Sequence, residues 1–164
     1  MLRLYLDTSA MLKRYVTEQG TESIDLIYDK AETGELVITI SLWNIGEALD
    51  VLDEKRRKGW LTQKEFEQAL KIFADELLKL IRLKSIEIVP VHTQILIETW
   101  NLLMTHHVYE ADALQMATCI KNKNSALISS DEKLVQISRK TGLRAFFIPK
   151  DEKDLITLID QIET

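Results

Sequence analysis

Five short apolar runs mark the chain, at residues 2–6, 36–40, 86–91, 126–129 and 145–148. They are mostly rich in β-formers and apolar on both sides, which is how strands covered on both faces read. Between them the apolar residues fall at helical spacing. Helices are predicted over residues 8–16, 22–31, 41–58, 63–84, 93–104, 111–123, 132–141 and 151–162, with Gly59 and Gly142 just past two of the ends. Strands that alternate with helices imply an α/β fold, a parallel sheet with helices on both faces. Right-handed crossovers put every strand's carboxyl end on one edge of such a sheet. Ligand sites in open α/β sheets gather along that edge.

The edge selects four of the 26 acidic residues. Asp7 directly follows the first run, in Leu-Tyr-Leu-Asp-Thr-Ser-Ala, and Asp131 follows the fourth, in Leu-Ile-Ser-Ser-Asp-Glu-Lys-Leu. Each alone reads best as a helix N-cap, a position Asp favours. Ser129 and Glu132 even have the S-x-x-E spacing of a capping box. Glu47 lies in Leu-Trp-Asn-Ile-Gly-Glu-Ala-Leu, with Trp43 and Val51 as its neighbours one turn away. That helix start is apolar almost all round, and a buried carboxylate is costly unless paired or metal-bound. The plainer alternative is a solvated acid at the helix rim. Asp112 is the only charge between Ala111 and Ile120, beside Met116 and a small-residue stripe of Ala113 and Ala117 suited to packing on a sheet. The helix dipole also favours an acid near a helix start.

One shared reason is simpler than four separate ones: the acids converge to hold a divalent metal. A cation removes the repulsion among clustered carboxylates. Oxygen-only ligands favour Mg²⁺ or Mn²⁺ over zinc. Such ions activate water and stabilise the leaving oxygen of a phosphodiester.

Composition then limits the partners. The 164 residues are one domain's worth of chain, and the 46% apolar content is enough for a core without disulfides. With 21 basic and 26 acidic residues the net charge is −5, which argues against gripping nucleic acid by bulk charge. An acidic metal site reverses that sign locally. Cys119 is the sole cysteine, so no internal disulfide forms, and the chain suits a reducing cytosol. No apolar run reaches the length of a membrane span, and the start is too soon acidic for a signal peptide.

The residues that carry this pattern resemble the PIN domains, and among them the VapC-type ribonuclease toxins of prokaryotic toxin–antitoxin pairs. The matching pieces are Leu-Asp-Thr-Ser-Ala-Met-Leu-Lys-Arg-Tyr, the Glu47 helix, Ala-Asp-Ala-Leu-Gln-Met-Ala and Leu-Ile-Ser-Ser-Asp-Glu-Lys-Leu, in order across essentially the whole chain. The resemblance implies a single PIN-like domain over residues 1–164, a three-layer α/β/α sandwich around a parallel sheet of about five strands. It implies a metal-dependent endoribonuclease with catalytic residues Asp7, Glu47, Asp112 and Asp131. Asp7, Asp112 and Asp131 are then the Mg²⁺ or Mn²⁺ ligands, and Glu47 completes the site or orients the attacking water. In-line attack leaves a 5′-phosphate product. Ser9 and Ser129 fall on the supporting hydroxyl positions, Ser129 where Thr is commoner. Gln115 stands where related chains often carry His, which leaves the role of that side chain open. Glu110 reads as an exposed first-turn acid. The expected partners are an RNA substrate, a second copy in a homodimer and a cognate antitoxin, in the cytoplasm and away from membranes.

Other signals are weaker. Lys55, Arg56, Arg57 and Lys58 read as a helix end that complements the dipole. Lys13, Arg14 and Lys133 follow the acidic motifs, as phosphate-holding groups or as partners in ion pairs. His92, His106 and His107 form no metal motif. Trp43, Trp60 and Trp100 read as core or interface, and Cys119 as packing. The amphipathic stretch 63–84 covers the core or offers a dimer or antitoxin surface. A receiver domain lacks its Asp after the third strand, a haloacid-dehalogenase phosphatase lacks Asp-x-Asp because position 9 is Ser, and no glycine-rich turn suits a dinucleotide. The rival readings are a PIN-domain nuclease of RNA processing or decay without a toxin role, and a non-catalytic interaction module.

Overall fold

The computed structural model describes residues 1–161. Each apolar run forms a strand: β1 Leu2–Leu6, β2 Leu36–Ser41, β3 Ile86–Val89, β4 Ala126–Ser129 and β5 Ala145–Phe147. All pairings are parallel, in the order β3-β2-β1-β4-β5. Leu4 and Leu6 of β1 enter one core with Ile38, Ile40 and Ile128, while Tyr5 between them enters a second core with Val89 and Leu127. Burial on both faces is the reason these strands read as unbroken apolar runs. Each fully buried Leu or Ile stabilises the fold by about 1.5–3 kcal/mol.

The helices are α1 Thr8–Met11, α2 Thr21–Glu32, α3 Leu42–Arg57, α4 Gln63–Leu83, α5 Thr93–His106, α6 Glu110–Lys121, α7 Glu132–Lys140 and α8 Glu152–Asp160. Buried residues of α1 to α4 and α8 pack on one face of the sheet, and those of α5 to α7 on the other. This is the expected α/β/α sandwich. In α6, Ala113 and Ala117 are fully buried, as the small-residue stripe implied. Cys119 is buried in the same core, which pushes its thiol up to about 12.

Most boundaries agree with the sequence reading to within two residues, and two of the differences have a clear cause. The predicted helix 8–16 ends at Met11 and tightens into a 3-10 turn at Leu12–Arg14. There the Tyr15 and Val16 N–H groups both return to the Leu12 carbonyl. The third strand stops at Val89 because Pro90 has no N–H for the ladder. The predicted last helix reached Ile162, which lies outside the described residues.

Helix α4 begins with a capping box between Thr62 and Glu65 and buries Ala69, Phe73 and Leu80. It covers the core, yet Ile72, Leu78, Ile81 and Leu83 remain exposed on it. Among the described residues no helix is long and apolar enough to cross a membrane.

Candidate active site

Strands β1 and β4 are neighbours, but the chain leaves them in opposite directions, to β2 and to β5. The crevice at their carboxyl ends is the topological switch point of the sheet, where such folds bind ligands. Asp7 stands there at the end of β1, tied to β4 by its own N–H on the Ile128 carbonyl at 3.1 Å. It caps α1, accepting from the Ala10 N–H at 2.8 Å. The cap reading was therefore right, and incomplete. Ser9 Oγ lies 2.8 and 2.9 Å from the two carboxylate oxygens, and Ser129 Oγ donates to Oδ2 at 2.6 Å.

Those hydroxyls have no choice of direction. Ser9 Oγ accepts from the Ser130 N–H and Ser129 Oγ from the Asp131 N–H, each at 2.9 Å. Each serine therefore has its one proton left for Asp7. Asp7 is 5% exposed. Burial pushes its carboxyl up to about 6, and the neighbouring charge of Asp131 adds to the rise, against the hydrogen bonds from Ser129, Ala10 and Ser9.

Glu47 comes from α3, on the wall beside Asp7. Its Oε2 accepts from Thr8 Oγ1 at 2.6 Å and from Gln115 Nε2 at 2.9 Å. Behind it lie Asn44 and Tyr5, both fully buried. The Tyr5 hydroxyl reaches Asn44 Oδ1 at 3.1 Å and Gln115 Oε1. Burial holds this phenol well above its ordinary range, so it stays a donor. Asp112, in the first turn of α6, is half-buried and has no hydrogen-bond partner among the described residues. Partial burial, then the charges of Asp131 and Glu47, hold its carboxyl above the usual carboxylate range. Asp131 caps α7 with Oδ1, which accepts from the Lys133 and Leu134 N–H groups at 2.8 and 3.2 Å. The cap is thus Asp131 itself, and the Ser129–Glu132 capping box does not form. Ser129 belongs to β4, and its hydroxyl is already committed to Asp7.

All four acids line one cavity of about 400 Å³, with Ser9 and Gln115 also on its wall. The raised carboxyl groups of Asp7 and Asp112 mark a place where burial and neighbouring negative charge disfavour ionisation. An oxygen-only donor set of this kind suits a hard divalent cation. Among the described residues no three acid, imidazole or thiol side chains already stand at closed metal-cage spacing. An ion held here would keep water among its ligands, as Mg²⁺ does when bound by one or two carboxylates.

A PIN domain model matches residues 4–140, and the chain belongs to that family. Three solved structures share the fold. PAE2754 from Pyrobaculum aerophilum is 17% identical, with a TM-score of 0.62 over 99% of this chain and 90% of that one. VapC20 from Mycobacterium tuberculosis, a sarcin–ricin loop cleaving toxin, is 16% identical, with a TM-score of 0.59 over 85% of this chain and 95% of that one. VapBC2 from Rickettsia felis, bound to a DNA fragment from its promoter, is 14% identical, with a TM-score of 0.60 over 89% and 98%. No curated protein matches the sequence.

Other sequence readings sort out around this cavity. Lys13 is buried and donates to the Gln19 carbonyl at 2.9 Å and to Glu18 at 3.3 Å. Arg14 binds Glu76 and Asp25. Both are structural ion pairs rather than phosphate ligands. Lys133 stays exposed, with no ion-pair partner among the described residues. In the basic run, Arg56 and Arg57 pair with Asp53 and Lys58 with Glu54. Lys55 alone of that run lines the cavity, paired with Glu18 at 3.0 Å. Trp43, Trp60 and Trp100 are not core: each is at least 50% exposed. Leu42 and Leu49 are exposed too, so α3 carries an exposed apolar side opposite its buried Asn44 and Ala48. Glu110 is an exposed first-turn acid, as expected.

The sequence reading leaves the role of Gln115 open and does not single out Asn44, Thr8 or Tyr5 as site residues. Two signals point to Asn44 and Gln115. Asn44 follows Ser41 at capping-box spacing, and Gln115 shares a helix face with Asp112 three residues before it.

Proposed function

We propose that this chain is a metal-dependent endoribonuclease that hydrolyses RNA phosphodiester bonds, the toxin of a VapBC-type toxin–antitoxin pair. One observation carries the reading: acids from four separate elements of a PIN domain line a single cavity at the sheet's switch point. Asp7, Asp112 and Asp131 would hold Mg²⁺ or Mn²⁺. Such an ion, when bound, supplies charge neutralisation at the phosphate and a more acidic water. The residues do the rest. Ser9, Ser129 and the Ala10 N–H hold the Asp7 carboxylate in one orientation. Glu47, tied back through Oε2, orients the attacking water with its other oxygen. Lys55 at the cavity mouth offers a positive charge to the RNA backbone.

The domain is proposed to extend over residues 1–164 and to act in the cytoplasm. The exposed apolar positions on α3 and α5, among them Trp43, Trp100 and Met104, suit a second copy in a homodimer. The antitoxin assignment is supported by the shared fold with VapBC2. The test is RNA cleavage with Mg²⁺ or Mn²⁺, wild type against Asp7→Asn. Cleavage by the wild type alone supports the reading, and full cleavage by the variant overturns it. Persistent inactivity of the wild type with either ion favours a non-catalytic module.

A further inference from the structure

Glu47 stands at the end of a chain of hydrogen bonds whose direction the main chain fixes. The Ser41 N–H can only donate, and it donates to Asn44 Oδ1 at 2.7 Å. That contact orients the Asn44 carboxamide. Its Nδ2 then faces Thr8 Oγ1 and Gln115 Oε1, both at 3.0 Å. Thr8 accepts there and has its single proton left for Glu47 Oε2. Gln115 accepts through its oxygen and turns its NH₂ to the same Glu47 atom. Asn44 is fully buried and Gln115 is 4% exposed. Little room is left for water to supply substitute partners, and reversing either amide would set oxygen against oxygen in a low-dielectric interior.

Two donors thus converge on Oε2 of Glu47, while Oε1 has no partner among the described residues. The network cannot run the other way, because its first member is a backbone N–H. Tyr5 plays a different part. Its hydroxyl meets Asn44 Oδ1 and Gln115 Oε1. Both oxygens are already served by donors, from the Ser41 N–H and from Asn44 itself. Tyr5 closes the network without setting its direction.

We propose that Asn44 and Gln115 are positioning residues, which hold Glu47 as an acceptor-only carboxylate with one oxygen tied back and the other committed to the cavity. Asn44 sets the direction, and Gln115 delivers it together with Thr8. The kinetic part of this proposal rests on the ribonuclease reading; the hydrogen-bond direction does not.

The test has two arms. In the first, RNA cleavage is measured for Asn44→Asp, Gln115→Met and Tyr5→Phe. Asn44→Asp keeps the acceptor for Ser41 but removes the donor to Gln115 and Thr8, and Gln115→Met keeps the bulk but removes the donor to Glu47. Each should lower kcat by about 10–100-fold with KM nearly unchanged. Tyr5→Phe leaves every directing donor in place and should cost under about 3-fold in kcat. Equal losses in all three variants, or losses borne by KM, overturn the positioning role.

The second arm is NMR of the side-chain NH₂ groups in the ion-free protein, which needs no activity and no core substitution. Both pairs should exchange slowly with solvent in the wild type. In Glu47→Ala the Gln115 pair should shift and exchange faster, while the Asn44 pair stays protected. An unmoved Gln115 pair overturns the proposal. If the wild type cleaves no RNA, the ribonuclease reading fails, and this arm alone still decides whether the network points at Glu47.

Discussion

Asp7 and Asp112 line the same cavity and are held in opposite ways. Asp7 sits at a strand end, 5% exposed, with donors from Ser9, Ala10 and Ser129 on its two oxygens. Asp112 sits in the first turn of α6, half-buried, and receives no hydrogen bond from the described residues. One carboxylate is fixed before any ligand arrives. The other is placed by its helix alone and left facing the charges of Asp131 and Glu47. The lesson concerns cost. Fixing a buried anion takes a set of aimed donors, and a second anion nearby stays destabilised unless a cation joins them.

The largest expected effect treats the two residues alike. Asp7→Asn and Asp112→Asn should each abolish metal-dependent RNA cleavage, and full activity in either would break the comparison by removing that residue from the site. Ser129→Ala should separate them. It removes a donor from Asp7 and an acceptor from the Asp131 N–H, touches nothing at Asp112, and should lower cleavage by about 10–100-fold. Addition of Mg²⁺ at 100 times its Kd should stabilise the wild type by about 2.7 kcal/mol in thermal unfolding. In Asp112→Asn that gain should shrink sharply.

A smaller effect comes from protons. Asp7 has a folded pKa of about 6 against an ordinary 3.8. A raised carboxyl pKa gives stability that is complete below the unfolded value and is lost as pH rises through the folded one. The ion-free protein should therefore gain about 1 kcal/mol from Asp7 between pH 7 and pH 5, and Asp7→Asn should lack that share. Denaturant unfolding at the two pH values checks it. The smallest expected effect is on stability at neutral pH: Asp112→Asn loses no hydrogen bond and relieves a crowded charge, so the ion-free variant should be as stable as the wild type or slightly more stable, by less than about 1 kcal/mol.

Much of this was legible in the chain. The five apolar runs became the five strands because both faces of a parallel sheet are covered, so apolar residues follow one another without alternation. Asp7 and Asp131 stand out because they follow strands at the sheet's carboxyl edge, Glu47 and Asp112 because they are acids on apolar helices, and all four line one cavity. Lys13 and Arg14 were harder to place. Their position just after the first motif suits a phosphate as well as an acid partner, and Glu18 and Glu76 compete for them only once the chain is folded. Trp43 reads as core or interface, and in the folded chain it stays half exposed on α3.

The sequence by itself determined the order of elements, the parallel sheet and the acids that gather at its carboxyl edge. Those follow from local periodicity and from the fixed handedness of crossovers, which act over short stretches of chain. Only the tertiary structure decided how each acid is held. The Ser41 N–H aims Asn44, Asn44 aims Gln115, and Gln115 meets a glutamate 68 residues away. A hydrogen bond has a direction, and in a buried network each direction is set by the previous partner. That order appears only when the partners are brought together.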